Sequence, residues 1–217
     1  AIALDLTQTS NGIIAGAATI TFTPLVPGIT TLPLDLILPV DSVVMNGVHL
    51  TFAQPGEELL VDMGGAYGPG DTLTLTVSYH GDPLTDPSGF GGFYTLSNYQ
   101  YDLGVAFDAV PHSYGRAWFP CFDNFVERCT FDYYVHTNGN RAVYANGLLM
   151  DTADLGSGER ISHWHLAEPI PAYLASGAAG HYAAVLDTFP SVSGTNIPVV
   201  LAALPADTTA MKSSFIH

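Results

Sequence analysis

His163 and His165 flank Trp164. On a strand, residues i and i+2 share a face, so both imidazoles can reach one metal ion. A catalytic zinc takes three protein ligands, and spacing supplies neither a third nor a fourth. Histidines at the edge of a sandwich are the competing reading, and no metal ligand is assigned. Asp102, Asp108, Asp123 and Asp132 fall close together in sequence, near Arg116 and Arg128. Paired carboxylates can do acid–base work. Ion pairing or turn capping within a sheet competes, and spacing puts no two of the four at a catalytic separation. Phe90, Phe93, Tyr94, Tyr99 and Tyr101 cluster as well. Exposed, such rings make a sugar-binding platform; buried, they pack a core or a domain interface.

The usual catalytic signatures are missing. There is no His-Glu-x-x-His and no phosphate-binding glycine loop. Asp154-Leu155-Gly156-Ser157-Gly158 approaches Gly-x-Ser-x-Gly only by eye. No catalytic residue is therefore assigned in this chain.

The elements that would position these groups are strands. Thr72-Leu73-Thr74-Leu75-Thr76-Val77-Ser78-Tyr79 puts apolar residues on one face and hydroxyls on the other. Thr19-Ile20-Thr21-Phe22-Thr23 alternates in the same way, and so does the stretch holding Leu32, Leu34, Leu36 and Leu38. Period-2 alternation predicts half-buried strands of an antiparallel sheet. Asn46-Gly47 lies between Val43-Val44-Met45 and Val48-His49-Leu50. Both residues accept positive φ, which predicts a tight hairpin. Further strands are expected over 58–63, 130–137, 142–145, 160–167 and 182–187. Residues 81–92 read as a long surface loop. Residues 172–179 have a helical look that Gly177 and the strand-like flanks argue against. The 22 glycines and 15 prolines leave no ten-residue stretch with capped helical periodicity. The fold class is all-β: mostly antiparallel curved sheets or a β-sandwich. Residues 1–204 are expected to form one β domain, with 205–217 as a linker.

The chain of 217 residues has five basic and twenty acidic side chains, a net charge of −15. It lacks the lysines and arginines that hold nucleic acid or anionic membranes. Only 12% of residues are charged. Either neutral polar groups cover the surface, or part of it is hidden against something else. The longest apolar run, 197–206, is interrupted by Pro198 and Pro205 and is shorter than a membrane span. Cys121 and Cys129 flank a turn-like stretch, and both a disulfide and two thiols fit. The start, Ala1-Ile2-Ala3-Leu4-Asp5, has no basic region ahead of an apolar run, so no signal peptide is read there. Acidity and scarce lysine tilt the expected compartment toward secretion or a periplasm.

Trp118-Phe119-Pro120-Cys121-Phe122-Asp123-Asn124, followed by Arg128-Cys129-Thr130-Phe131-Asp132, is similar to the Phe-Pro-Cys-x-Asp-Glu-Pro … Lys-Ala-Thr-Phe signature of the aminopeptidase N family. That signature belongs to the family's N-terminal domain. Gly16-Ala17-Ala18-Thr19-Ile20-Thr21-Phe22 resembles its early strand, and Val77-Ser78-Tyr79-His80-Gly81 its Tyr-x-Gly strand end. Trp164-His165-Leu166 with Ile170 to Ala175 resembles Trp-His-Phe … Pro-Met-x-Thr-Tyr-Leu. The resemblance covers nearly the whole chain. It implies a saddle-shaped β domain packed on a helical, zinc-bearing catalytic domain that follows it, with zinc held there and none held here. The family's substrate-binding Gln, in Thr-Gln-Phe-Glu, aligns best with Val105-Ala106-Phe107-Asp108. Ala106 then stands at the Gln position. It cannot accept a hydrogen bond from a peptide's amino group, which Asp108 can.

The expected function is thus the non-catalytic N-terminal domain of a zinc aminopeptidase. Its partners would be its own catalytic domain and peptide substrates. One alternative is a carbohydrate- or protein-binding β-sandwich of a secreted protein, which a glycan array would reveal. The other is the scaffold of a family member without catalysis, which the presence or absence of a downstream His-Glu-x-x-His would decide.

Overall fold

The computed structural model describes residues 1–215. The chain opens with β1 (Ile2–Asp5), β2 (Ile14–Phe22), β3 (Ile29–Asp35), β4 (Val40–Met45), β5 (Val48–Leu50) and β6 (Phe52–Ala53). Next come β7 (Glu58–Tyr67), β8 (Leu73–Gly81), β9 (Gly92–Leu96) and β10 (Tyr99–Leu103). A 3-10 turn at Gly115–Ala117 precedes β11 (Cys129–Thr137), β12 (Ala142–Ala145), β13 (Leu148–Gly156), β14 (Glu159–Ile170) and β15 (Gly177–Gly180). The chain continues with β16 (Ala183–Pro190), β17 (Asn196–Ala203), a 3-10 turn at Pro205–Asp207 and helix α1 (Thr208–Phe215). The all-β expectation holds.

Contacts divide the chain into two units, Ala1–Ala179 and Gly180–His217. In the first, eight strands run in the order β13-β14-β11-β1-β2-β8-β4-β5. β1 pairs with β11 in parallel and with β2 antiparallel. A four-stranded sheet, β12-β15-β10-β9, and a three-stranded one, β3-β7-β6, complete this unit.

Alternation explains which face is buried. Leu73, Leu75, Val77 and Tyr79 of β8 point into the core, with Ile2, Leu4, Val43, Tyr133, Val135 and Trp164 from neighbouring strands. The opposite face carries hydroxyls: Thr19 pairs with Thr76 and Thr21 with Thr74, each at 2.9 Å. Gly16 is required where β2 crosses the Tyr79 ring, because a Cβ there would lie 2.3 Å from a ring carbon. The β4–β5 hairpin turns on Asn46 (φ 53°) and Gly47 (φ 78°), as its residue types predict.

The third expected strand stops at Asp35, short of Leu36 and Leu38. Both leucines are buried all the same. Their backbone is held outside a ladder: Leu36 N–H donates to Glu57 O, and the Gln54 side-chain amide donates to both leucine carbonyls. Residues 172–179 are a 3-10 turn running into β15, not a helix.

The second unit consists of β16 paired with β17, followed by α1. Sequence reading places 1–204 in one domain and expects a strand over 182–187 in this stretch. Among the described residues β16 and β17 pair only with each other. The expected linker, 205–217, carries a 3-10 turn and α1, and its last two residues, Ile216 and His217, lie outside the described residues. Among the described residues no helix is long and apolar enough to cross a membrane.

Candidate functional site

Asp86 lies in the long loop between β8 and β9 and is 2% exposed. One carboxylate oxygen, Oδ2, accepts the backbone N–H groups of Phe107 (3.3 Å) and Asp108 (3.0 Å). The other accepts that of Ala109 at 2.9 Å. Ser88 adds its backbone N–H at 3.2 Å and a short bond from its hydroxyl. Burial raises the pKa of this group, but the hydrogen bonds from Ser88, Asp108 and Ala109 outweigh it and bring the carboxyl down to about 2. A carboxylate ionised at neutral pH thus clamps the segment that includes both sequence-assigned substrate residues.

The clamp gives those two residues opposite fates. Ala106 is 2% exposed and packs with Tyr114 and Ala117, so its methyl group faces the interior. The side chain of Asp108 is exposed. Phe107 is 65% exposed, stacked at 4.8 Å on Phe90, and Val110 is 85% exposed. The segment therefore presents one carboxylate beside an uncovered apolar patch. Such a surface can pair with an ammonium group and cover apolar side chains.

The signature residues behind this segment are structural. Asp123, buried, accepts the backbone N–H groups of Gly115 (3.1 Å) and Arg116 (3.3 Å) and pairs with Arg116 Nη1 at 2.6 Å. Arg116 also donates to Glu57 at 2.8 Å and to Ser113 O at 2.6 Å, and lies 4.9 Å over the Tyr114 ring. Burial alone lowers the pKa of this guanidinium; Glu57 and Asp123 more than offset that and raise it. Trp118 and Phe119 are core rings in edge contact at 4.5 Å. Cys121 bridges backbone to backbone with Asp35. Cys121 is buried, Cys129 is exposed, and both are free thiols.

The other candidates separate. Asp102 is buried, its Oδ1 accepting Gly177 N–H at 2.7 Å while Oδ2 finds no partner among the described residues. Burial pushes its pKa up to about 7, with the Gly177 and Ser176 bonds offsetting only part of the rise. Asp132 Oδ1 meets both His163 Nε2 (2.9 Å) and His165 Nδ1 (3.0 Å). The two histidines do share a face, and they converge on this carboxylate. Among the described residues no three His, Cys, Asp or Glu side chains are arranged to hold a metal ion. Of the aromatic group, Phe93 is buried, Tyr94 stacks on Tyr101 at 5.0 Å, and Phe90 joins the exposed patch. Sequence reasoning missed Asp86, since nothing in a Pro- and Gly-rich loop marks one aspartate as the anchor of a segment more than twenty residues away.

A family model described as the Peptidase M1 N-terminal domain matches residues 3–174. The chain belongs to this family. The match covers most of the chain and agrees with the resemblance carried by Phe119-Pro120-Cys121 and its flanks. No curated protein matches by sequence. Among solved structures, an M1 zinc metallopeptidase from Deinococcus radiodurans is 21% identical, with a TM-score of 0.81 over 95% of this chain and 47% of its own. A mutant form of that enzyme bound to a Tyr-Ser-Ala substrate gives 0.82 at 21% identity, covering 94% and 46%. A two-domain M1 zinc metallopeptidase mutant bound to L-tryptophan gives 0.81 at 20% identity, covering 92% and 45%. The M1 N-terminal domain fold is thus shared, and this chain spans about half the length of those structures.

Proposed function

We propose that this M1 N-terminal domain walls one side of a peptide-binding cleft in a zinc aminopeptidase. The other walls and the zinc would come from a catalytic domain in the same polypeptide. The observation that carries this reading is the Asp86 clamp, which holds Asp108 in solvent beside the exposed Phe90–Phe107 stack and Val110. An exposed carboxylate next to apolar surface suits a ligand with a free amino terminus and a side chain. The similar structures that hold a tripeptide or an amino acid are consistent with such a role.

Zinc would supply the attacking water and polarise the carbonyl. Among the described residues of this domain no side chains form a site for it. Their part is to bind and orient. Asp108 would take the substrate ammonium, Phe107 and Phe90 would cover its side chain or the neighbouring domain, and Asp86 would keep the backbone from moving.

Replacing Asp108 by Ala in the polypeptide that joins this domain to its peptidase tests the assignment. KM for a free tripeptide should rise about tenfold, the worth of ~1.4 kcal/mol, while an amino-terminally acetylated tripeptide binds as before. Unchanged KM for the free tripeptide would remove Asp108 from the cleft.

A further inference from the structure

Asn-Gly occurs at Asn11-Gly12, Asn46-Gly47, Asn138-Gly139 and Asn146-Gly147. We propose that Asn46 is a spontaneous modification site, where the folded chain loses ammonia and gains a carboxylate at the tip of the β4–β5 hairpin. In any Asn-Gly pair the glycine nitrogen can give up its proton and attack Cγ of the asparagine, because glycine has no side chain to obstruct the approach. The N–Cγ bond forms, the Cγ–Nδ2 bond breaks, and the amide nitrogen leaves as ammonia. Water then opens the cyclic imide at either carbonyl. One product is aspartate; the other is isoaspartate, whose backbone runs through Cγ. The net change is uptake of water and loss of ammonia, with no oxidant or reductant.

Two features of the fold select among these pairs. The first is whether the asparagine side chain is free to turn toward the backbone. Asn11 Nδ2 donates to Gln8 Oε1 at 3.0 Å, and its Oδ1 accepts Ile13 N–H at 3.2 Å. Asn138 Nδ2 donates to Thr7 O at 2.8 Å, and its Oδ1 accepts Arg141 Nη2 at 3.1 Å. Asn146 Oδ1 accepts Ser176 N–H at 2.5 Å and the Tyr133 hydroxyl at 3.2 Å. Asn46 is exposed, and among the described residues no hydrogen bond engages its side chain.

The second is whether the glycine has room to rotate. Gly147 is packed on the backbone of β14, where a Cβ would lie 2.0 Å from His165 O. Gly12 is buried, with Asp82 Oδ1 3.4 Å from the position of a Cβ. Gly139 and Gly47 meet nothing within 4 Å. Asn46-Gly47 alone combines a free side chain with an unobstructed glycine. The closed turn holds Asn46 at φ 53° and Gly47 at φ 78°, so it must open for the nitrogen to swing onto Cγ. Opening is easy there. β5 has 3 residues, ends the strand order of the eight-stranded sheet beside β4, and leaves Val48 62% exposed. Isoaspartate adds a backbone carbon to a turn built for two residues. The modified hairpin therefore loses its β5 pairing, while β4 stays on β8.

The test is peptide mapping by mass spectrometry of the 217-residue chain, sampled over time in warm, mildly alkaline buffer with and without guanidinium chloride. In the folded chain the Asn46 peptide should lose ammonia about tenfold faster than the peptides holding Asn11, Asn138 or Asn146, and should give both aspartate and isoaspartate. In denaturant the rates should draw together, because the fold no longer distinguishes the pairs. Hydrogen exchange on the isoaspartate form should show faster amides at Val48 and Leu50, with β8 still protected. The proposal fails if Asn46 reacts no faster than the others in the folded chain, or if its lead persists in denaturant. Unchanged protection at Val48 and Leu50 would overturn the loss of β5 pairing.

Discussion

Arg116 Nη1 and Asp123 Oδ2 lie 2.6 Å apart with both side chains sealed from solvent. This pair, with Asp123 inside the family signature and Arg116 just ahead of it, joins the 3-10 turn to the strand-like segment at Cys121. Asp123 also caps two backbone N–H groups of that turn. Removing the carboxylate leaves a buried guanidinium with only the half-exposed Glu57 for countercharge. Asp123→Ala should cost about 3–5 kcal/mol, the usual result of breaking a buried pair from one side. Glu57→Ala should cost about 0–1 kcal/mol, because that partner is in solvent. Urea denaturation of both variants checks the contrast.

Asp102 gives the fold a pH dependence of unusual sign for a carboxylate. Its carboxyl ordinarily titrates at 3.8 and, buried, at about 7. Between those values the folded chain holds a proton that the unfolded chain has lost. The contribution is therefore complete below pH 3.8 and drains away as pH rises through 7. Asp86 acts the other way: lowered from 3.8 to about 2, it stabilises above pH 3.8 and loses its effect as pH falls through 2. Asp102→Asn should flatten the decline of Tm between pH 5 and 8 and exceed the parent at pH 8. An unaltered slope would show that Asp102 is ionised in the fold.

Gly104 is fixed by approach rather than by φ. A Cβ there would lie 2.0 Å from the backbone oxygen of Tyr173. Backbone cannot swing aside as a side chain can, so Gly104→Ala should destabilise by at least about 1–3 kcal/mol. Gly28→Ala meets nothing within 4 Å, and its cost comes only from φ +80°. Comparing their urea midpoints separates contact from conformational strain.

Asp86→Ala releases the N–H groups of Phe107, Asp108 and Ala109 together. Hydrogen exchange should accelerate at these three amides while β8 and β11 keep their protection. Uniform acceleration through the sheet would mean that Asp86 supports the whole domain rather than one loop.

What was legible in the sequence follows from burial. β8 and the β4–β5 hairpin could be read because one face is in the core, so Leu73, Leu75, Val77 and Tyr79 had to alternate with hydroxyls, and Asn46-Gly47 had to turn. β13 could not, because every residue in it is exposed and neither face imposes a period. Leu36 and Leu38 alternate without a ladder, since Gln54 replaces the missing strand. The family signature was legible as a pattern, but its job was not: Asp123 meets Gly115 and Arg116 only after the turn has formed. For the proposed site, the sequence offers residue types but not their surroundings. Asp108 was singled out, whereas the inward Ala106 and the Asp86 clamp depend on contacts that no local pattern records.

The central claim is that this domain braces peptide chemistry performed by other residues. The most direct measurement is the zinc content and Tyr-Ser-Ala hydrolysis of the purified 217-residue chain after equilibration with zinc. The account predicts no stoichiometric zinc and no release of tyrosine. Turnover that stays with the chain through purification, together with one bound zinc per molecule, would contradict it.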